Sequence, residues 1–262
     1  MNNKDRLREK ELNRFSRTEL LLGKHAMERL AGCRVAVFGV GGVGGYVCEA
    51  LARSGVGTLD LIDNDKVCPS NINRQIIATT KTVGRYKVDV MRERILDINP
   101  DAVVNTYTCF FLPENAAEFP FANYDYVVDA IDTITAKIEL VMQCRDADVP
   151  IMSSMGAGNK LDASAFRVAD IYNTRIDPLA RVMRKELKKR DIKKLKVVYS
   201  EEEPIHPIAD PANYSGEDSC NSTGAQNPGT ARRSIPGSTA FVPSVAGLII
   251  AGEVIKDLTN EF

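Results

Sequence analysis

Four kinds of residue in this chain have types and spacing suited to chemistry on a nucleotide. Gly39, Gly41, Gly42 and Gly44 form a G-x-G-x-x-G turn directly after the apolar run Val35–Phe38. Glycines there let the backbone approach a phosphate, and the helix that follows points its free N–H groups at it. Asp63 stands 19 residues after Gly44, at the end of a second apolar run, where an acid accepts a hydrogen bond from a ribose hydroxyl. Arg74 and Lys87 supply cations close behind. Asp132 closes a fourth strand-like run, Tyr126–Ile131, on the edge of a parallel sheet where ligands bind.

The glycine turn with an acid is shared with nicotinamide and flavin dinucleotide enzymes, and alone it leaves a dehydrogenase open. The cations argue for a triphosphate, which carries more charge than a dinucleotide pyrophosphate and needs cationic partners beyond the glycine loop. Asp132 is then suited to a magnesium ion on those phosphates. The plain alternative makes Arg74 and Lys87 surface charges and Asp132 a helix cap.

These residues require a scaffold of alternating strands and helices. The pattern predicts strands at 35–38, 58–63, 103–107, 126–132 and 150–154. It predicts helices at 46–53, about 83–98 and about 135–147. Alternation of this kind makes an α/β fold, a Rossmann-like and mostly parallel sheet with helices on both faces. Residues 1–32 read as a helical segment and 33–160 as the nucleotide-binding core. Residues 161–262 read as a substrate-binding part, all within one domain spanning 1–262. That last part holds short strands at 166–169 and 196–199. Asp177-Pro178 caps a helix with Leu179, Val182, Met183 and Leu187 on one face. A Pro/Gly/Ser/Asn-rich stretch, 204–236, reads as a long mobile loop, and 245–258 as a closing helix.

The chain has 262 residues, a net charge of −1, six cysteines without a Cys-x-x-Cys pair, and two histidines. No apolar stretch reaches the roughly 20 residues of a membrane span, and the N-terminus lacks an apolar signal core. These features point to a cytoplasmic protein with reduced thiols, no structural zinc and no membrane partner. The net charge gives no reason to expect DNA. Ten basic residues nevertheless crowd into 175–196, among them Arg181, Arg184, Lys185, Lys188, Lys189 and Arg190. A solvated helix face explains such a run as readily as contact with nucleic-acid phosphates.

The glycine loop, Asp63-x-Asp65, Ser70-Asn71-x-Asn73-Arg74-Gln75, Lys87 and Asp132 resemble the adenylating enzymes of the ubiquitin-activating, molybdopterin-synthesis and thiamine-synthesis superfamily. Arg14-Phe15-Ser16-Arg17 resembles its N-terminal signature. The resemblance implies ATP as substrate and Gly42 against the phosphates. It puts Asp63 on the ribose, Asn71, Arg74 and Lys87 on the polyphosphate, and magnesium on Asp132. It also implies a homodimer in which Arg17 reaches into the partner's site. Asp65, Ser70 and Asn73 go with the nucleotide set. The series Met155–Asp162, Phe166–Ile171, Asp177–Arg181 and Val197–Glu202 resembles the tRNA threonylcarbamoyladenosine dehydratases. That likeness implies tRNA as partner, contacted through the basic helix, and activation of a threonyl carboxylate beside the anticodon. Ring closure within the substrate then makes a catalytic role for Cys220 unnecessary. A cysteine desulfurase/sulfur-acceptor system is a further expected partner. The competing expectations are an activator of a ubiquitin-like sulfur carrier and a non-catalytic adaptor.

Overall fold

The computed structural model of the chain describes residues 12–209 and 236–259. Seven strands form one sheet: β1 (Arg34–Phe38), β2 (Thr58–Ile62), β3 (Val103–Tyr107), β4 (Tyr126–Asp129), β5 (Ile151–Ser154), β6 (Phe166–Asp170) and β7 (Lys196–Ser200). Their order is β3-β2-β1-β4-β5-β7-β6. All neighbours pair parallel except β6 with β7, in line with the expected mostly parallel sheet. The sequence of strands reverses between β1 and β4, and the crevice over their carboxyl ends is where such sheets bind ligands.

Helices α1 (Ser16–Gly32), α2 (Gly44–Arg53), α3 (Lys87–Ile98), α4 (Ile134–Asp146), α5 (Pro178–Lys189) and α6 (Phe241–Thr259) cover the sheet. Side chains alternate faces along each strand, so β1 feeds two cores. Val35 and Val37 join Leu51, Leu59, Leu61, Ala246 and Ile250 on one face. Ala36 and Phe38 meet an aromatic group, Phe111, Phe119 and Phe121, on the other. Phe38 and Phe111 stand edge to face with centroids 4.9 Å apart. A third core lies under α5, where Met183 and Leu187 pack with Met155 and Val197.

Four expectations change, the first being that α3 opens at Lys87 rather than at about residue 83. The N-terminal helix is interrupted at Gly23, whose φ of 79° and ψ of 164° leave the helical region. β4 stops at Asp129 rather than Asp132: Ala130 N still donates to Phe38 O, but Ile131 N turns back to Asp129 Oδ1 at 3.3 Å. α6 begins at Phe241, four residues before the expected start, since Pro243 falls in its first turn, where a missing N–H costs nothing. No helix among the described residues is long and apolar enough to cross a membrane.

Candidate nucleotide site

The turn after β1 can only be built from glycine at two points. Gly39 has a φ of 92°, and a Cβ there would lie 2.7 Å from Ala130 O. A Cβ on Gly44 would lie 1.8 Å from Gly39 O, so this residue lets α2 close on the strand. Between them Gly41 and Gly42 face a cavity of about 360 Å³ over the ends of β1, β2 and β4, a volume suited to a small-molecule ligand.

Asp63 sits directly after β2, where its carboxylate clamps the glycine loop. Oδ2 accepts from Val40 N at 2.8 Å, and Oδ1 accepts from Asp65 N at 2.8 Å. Burial pushes its carboxyl above the usual range, while the Lys87 ammonium works the other way. Lys87 opens α3 and is 5% exposed. Its Nζ donates to Asp65 Oδ2 at 2.6 Å and lies 3.9 Å from Asp63 Oδ1. Asp65 therefore serves to hold Lys87 at the cavity wall.

Arg74 also lines the cavity. Its Nη1 donates to Ser70 O at 2.9 Å and Asn73 Oδ1 at 3.0 Å. Asn71, buried on the wall, accepts from Cys68 N through Oδ1 at 3.1 Å. Ser70 and Asn73 do not form part of the wall. Ser70 offers its carbonyl to Arg74, and Asn73 donates to Ser238 O at 2.9 Å, tying this loop to the entry of α6.

Asp132 is exposed on the cavity wall, with Thr133 Oγ1 3.3 Å from its Oδ1. It does not cap α4, whose N-cap is Thr133, without a side-chain capping bond. The helix-cap alternative therefore fails. Magnesium fits this donor set in one way. The ion takes one or two carboxylates together with phosphate oxygens and water. Asp132 offers one carboxylate to the cavity, and no three-residue cluster of His, Cys, Asp or Glu able to cage a metal occurs among the described residues.

Arg17 lies exposed near the start of α1 and does not line this cavity. The basic residues of α5 divide. Arg181, Lys185 and Lys188 are exposed, whereas Arg184 donates to Thr174 O at 2.9 Å. Lys189 and Arg190 both pair with Glu186, at 2.7 and 2.9 Å. Val182 is 40% exposed rather than part of the apolar face, which Ala180, Met183 and Leu187 supply. Cys33, Cys48, Cys68 and Cys144 are buried, whereas Cys109 is only partly so and lies on the cavity wall. Cys220 lies outside the described residues.

The ThiF family model matches residues 15–261. The chain belongs to the ThiF family. It is 47% identical over 251 residues to the tRNA threonylcarbamoyladenosine dehydratase of Bacillus subtilis, covering 95% of this chain and 96% of that one. It is similar in structure to the Escherichia coli tRNA N6-threonylcarbamoyladenosine dehydratase TcdA in complex with ATP. The TM-score is 0.81 and the identity 32%, over 95% of this chain and 94% of that one. The AMP complex of the same E. coli enzyme matches with a TM-score of 0.81 and 33% identity over the same shares.

Within this ThiF-family site, several residues had no role assigned from sequence, among them Gln75, which the motif already contains. Gln75 is 6% exposed, and its Oε1 is buried with no partner among the described residues. On the cavity wall such an atom is suited to a donor that arrives with a ligand. Pro243 lines the same cavity from α6. Asp129 and Lys137 form a fully buried pair behind it. Lys137 carried a readable signal, since it lies at helical spacing from Leu140, Val141 and Cys144, a stripe that packs inward.

Proposed function

We propose that this chain catalyses the ATP-dependent dehydration of N6-threonylcarbamoyladenosine in tRNA, near the anticodon, by adenylating the threonyl carboxylate. One observation carries this reading. The cavity bounded by the glycine loop, Asp63, Arg74, Lys87 and Asp132 lies in a chain 47% identical, nearly end to end, to a tRNA threonylcarbamoyladenosine dehydratase.

The chemistry divides into two displacements. A carboxylate oxygen of the substrate attacks the α-phosphorus of ATP, the bond to the bridging oxygen breaks, and pyrophosphate leaves with that electron pair. A neighbouring group of the same side chain then attacks the acyl carbon, gives up its proton, and releases AMP. The ring that forms has lost one water relative to the starting side chain. Asp63 holds the ribose and Gly41 and Gly42 admit the phosphates. Arg74 and Lys87 face the charge that grows on the leaving pyrophosphate, a task that suits preorganised cations. Asp132 would hold a magnesium ion, which spreads charge over the phosphate oxygens. Arg17 completes the site across a homodimer, and the exposed cations of α5 meet tRNA phosphates. The enzyme works in the cytoplasm.

The test is mass analysis of tRNA nucleosides from a strain lacking the gene. Loss of the cyclised nucleoside with retention of its open precursor is expected, together with restoration by purified protein, ATP and magnesium. An unchanged nucleoside profile overturns the assignment.

A further inference from the structure

Asp129 and Lys137 are each fully buried, a costly arrangement for two charges unless every polar atom is satisfied. Here the ammonium is satisfied completely. Lys137 Nζ donates to Asp129 Oδ1 and Oδ2, both at 2.9 Å, and to Ser154 O at 2.8 Å. Asp129 Oδ1 also accepts from Ile131 N at 3.3 Å. Neither side chain lines the nucleotide cavity, and neither takes part in the two displacements of the reaction.

Their place in the fold gives them a task. Asp129 is the last residue of β4, and the next three residues, Ala130, Ile131 and Asp132, line the cavity. Ser154 is the last residue of β5, and the loop beyond it brings Ala157 and Gly158 to the same cavity. A single ammonium thus ties the ends of two adjacent strands at the point where each becomes a wall of the cleft. Beyond it the bonding continues. Gly156 N donates to Asp177 Oδ2 at 3.1 Å, and Asp177 Oδ1 caps α5 by accepting from Ala180 N at 2.8 Å. Replacing a buried ion pair by apolar residues of similar volume is often close to neutral for stability, so stability alone does not call for the charges.

We propose that the Asp129–Lys137 pair is a positioning device for adenylation, fixing the Asp132 loop against the Ala157–Gly158 loop so that the carboxylate and the α-phosphate meet in line. The inference rests on the adenylation reading of the site. Misplacement of reacting groups by a fraction of an ångström to an ångström lowers rate far more than it lowers ground-state binding.

The experiment compares the full-length protein with two double variants, using tRNA that carries threonylcarbamoyladenosine and measuring pyrophosphate release. Asp129→Leu/Lys137→Met removes both charges together. It is expected to keep its Tm and an ATP KM within about twofold of wild type while kcat falls roughly tenfold or more. Asp129→Asn/Lys137→Gln keeps neutral donors and acceptors between the loops and is expected to recover most of that loss. A folded Leu/Met variant with wild-type kcat overturns the proposal, and so does an equal loss in both variants. Should the Leu/Met variant not fold, Asp129→Asn/Lys137→Met, which is also neutral and keeps an acceptor for Ile131 N, gives the reading. A lowered kcat at unchanged ATP KM supports the proposal, and a wild-type kcat overturns it. An inactive wild-type protein would instead count against the adenylation reading, so the two failures are distinguishable.

Discussion

The cleft over β1 and β4 and the outer face of α5 both hold cations, and they hold them in opposite ways. In the cleft Lys87 is buried against Asp65 and Asp63, and Asp63 is itself fixed to two backbone N–H groups. On α5, Arg181, Lys185 and Lys188 stand in solvent, and Lys189 and Arg190 share one glutamate. Charges in the first setting act at fixed distances with little screening. Charges in the second act over a Debye length of about 8 Å at physiological salt and weaken as salt rises. A fixed site suits a reaction at one phosphorus atom, and a loose one suits a polyanion whose phosphates need only pass nearby.

Helix α5 also has a direction. It starts beside Gly156, at the carboxyl end of β5, and ends where Arg145, in the last turn of α4, donates to Arg190 O at 3.3 Å. Its 12 residues span roughly 18 Å. Arg181 therefore lies at the cleft end of the helix, with Lys188 and Lys189 toward the far end.

The largest effect expected in breaking the comparison comes from the rigid side. Gly44→Ala drives a methyl into Gly39 O and should cost roughly 3 kcal/mol or more, read as a Tm lower by about 6–12 °C. A variant with an unchanged Tm would mean that the turn tolerates a side chain there. Next is Arg74→Ala. Loss of one charge aimed at the leaving pyrophosphate should lower adenylation roughly a hundredfold and leave Tm nearly unchanged; full activity would make Arg74 a surface residue. The third prediction asks whether the rigid site is complete within one chain. Inactive Arg17→Ala and Asp132→Ala subunits, mixed and allowed to exchange, should regain part of the wild-type rate, because each mixed dimer holds one intact site. No recovery despite proven exchange would remove Arg17 from the partner's cleft.

Smaller changes are expected on α5. Lys188→Glu/Lys189→Glu should leave ATP affinity intact and flatten the plot of log tRNA affinity against log salt by about 0.7–0.9 for each phosphate no longer neutralised. An unchanged slope would move the tRNA surface elsewhere. The smallest effect is expected at Cys220→Ser, since closure within the substrate needs no enzyme thiol; a folded but inactive variant would restore a covalent route.

The same contrast decides what could be read from the sequence. The cleft was legible because the glycines of the turn, the acid after β2 and the cation that opens α3 each sit at the end of a regular element, and such ends leave their mark within a few residues. Gly39, Gly44, Asp63 and Lys87 fall where spacing put them. The helical stripe marks Lys137 as inward-facing, but its pairing with Asp129 was missed because the partners, a strand-end carboxylate and a backbone carbonyl on another strand, meet only in the fold. Asn73 shares its motif with Arg74 but turns toward Ser238, 165 positions further along. On α5 the basic composition was plain, yet only tertiary packing shows that Val182 faces solvent and that Arg184 is occupied by Thr174.

Helix α6 carries a consequence for synthesis. Pro243 lines the nucleotide cavity, and a Cβ on Gly42 would lie 3.3 Å from its ring. Gly247 packs so closely on the turn that a Cβ there would lie 2.4 Å from Val43 O. The glycine loop leaves the ribosome long before the helix that backs it. Until that helix has emerged, a nascent chain carries the whole phosphate-binding motif without a finished pocket. ATP can act as a ligand that favours folding only from that point on.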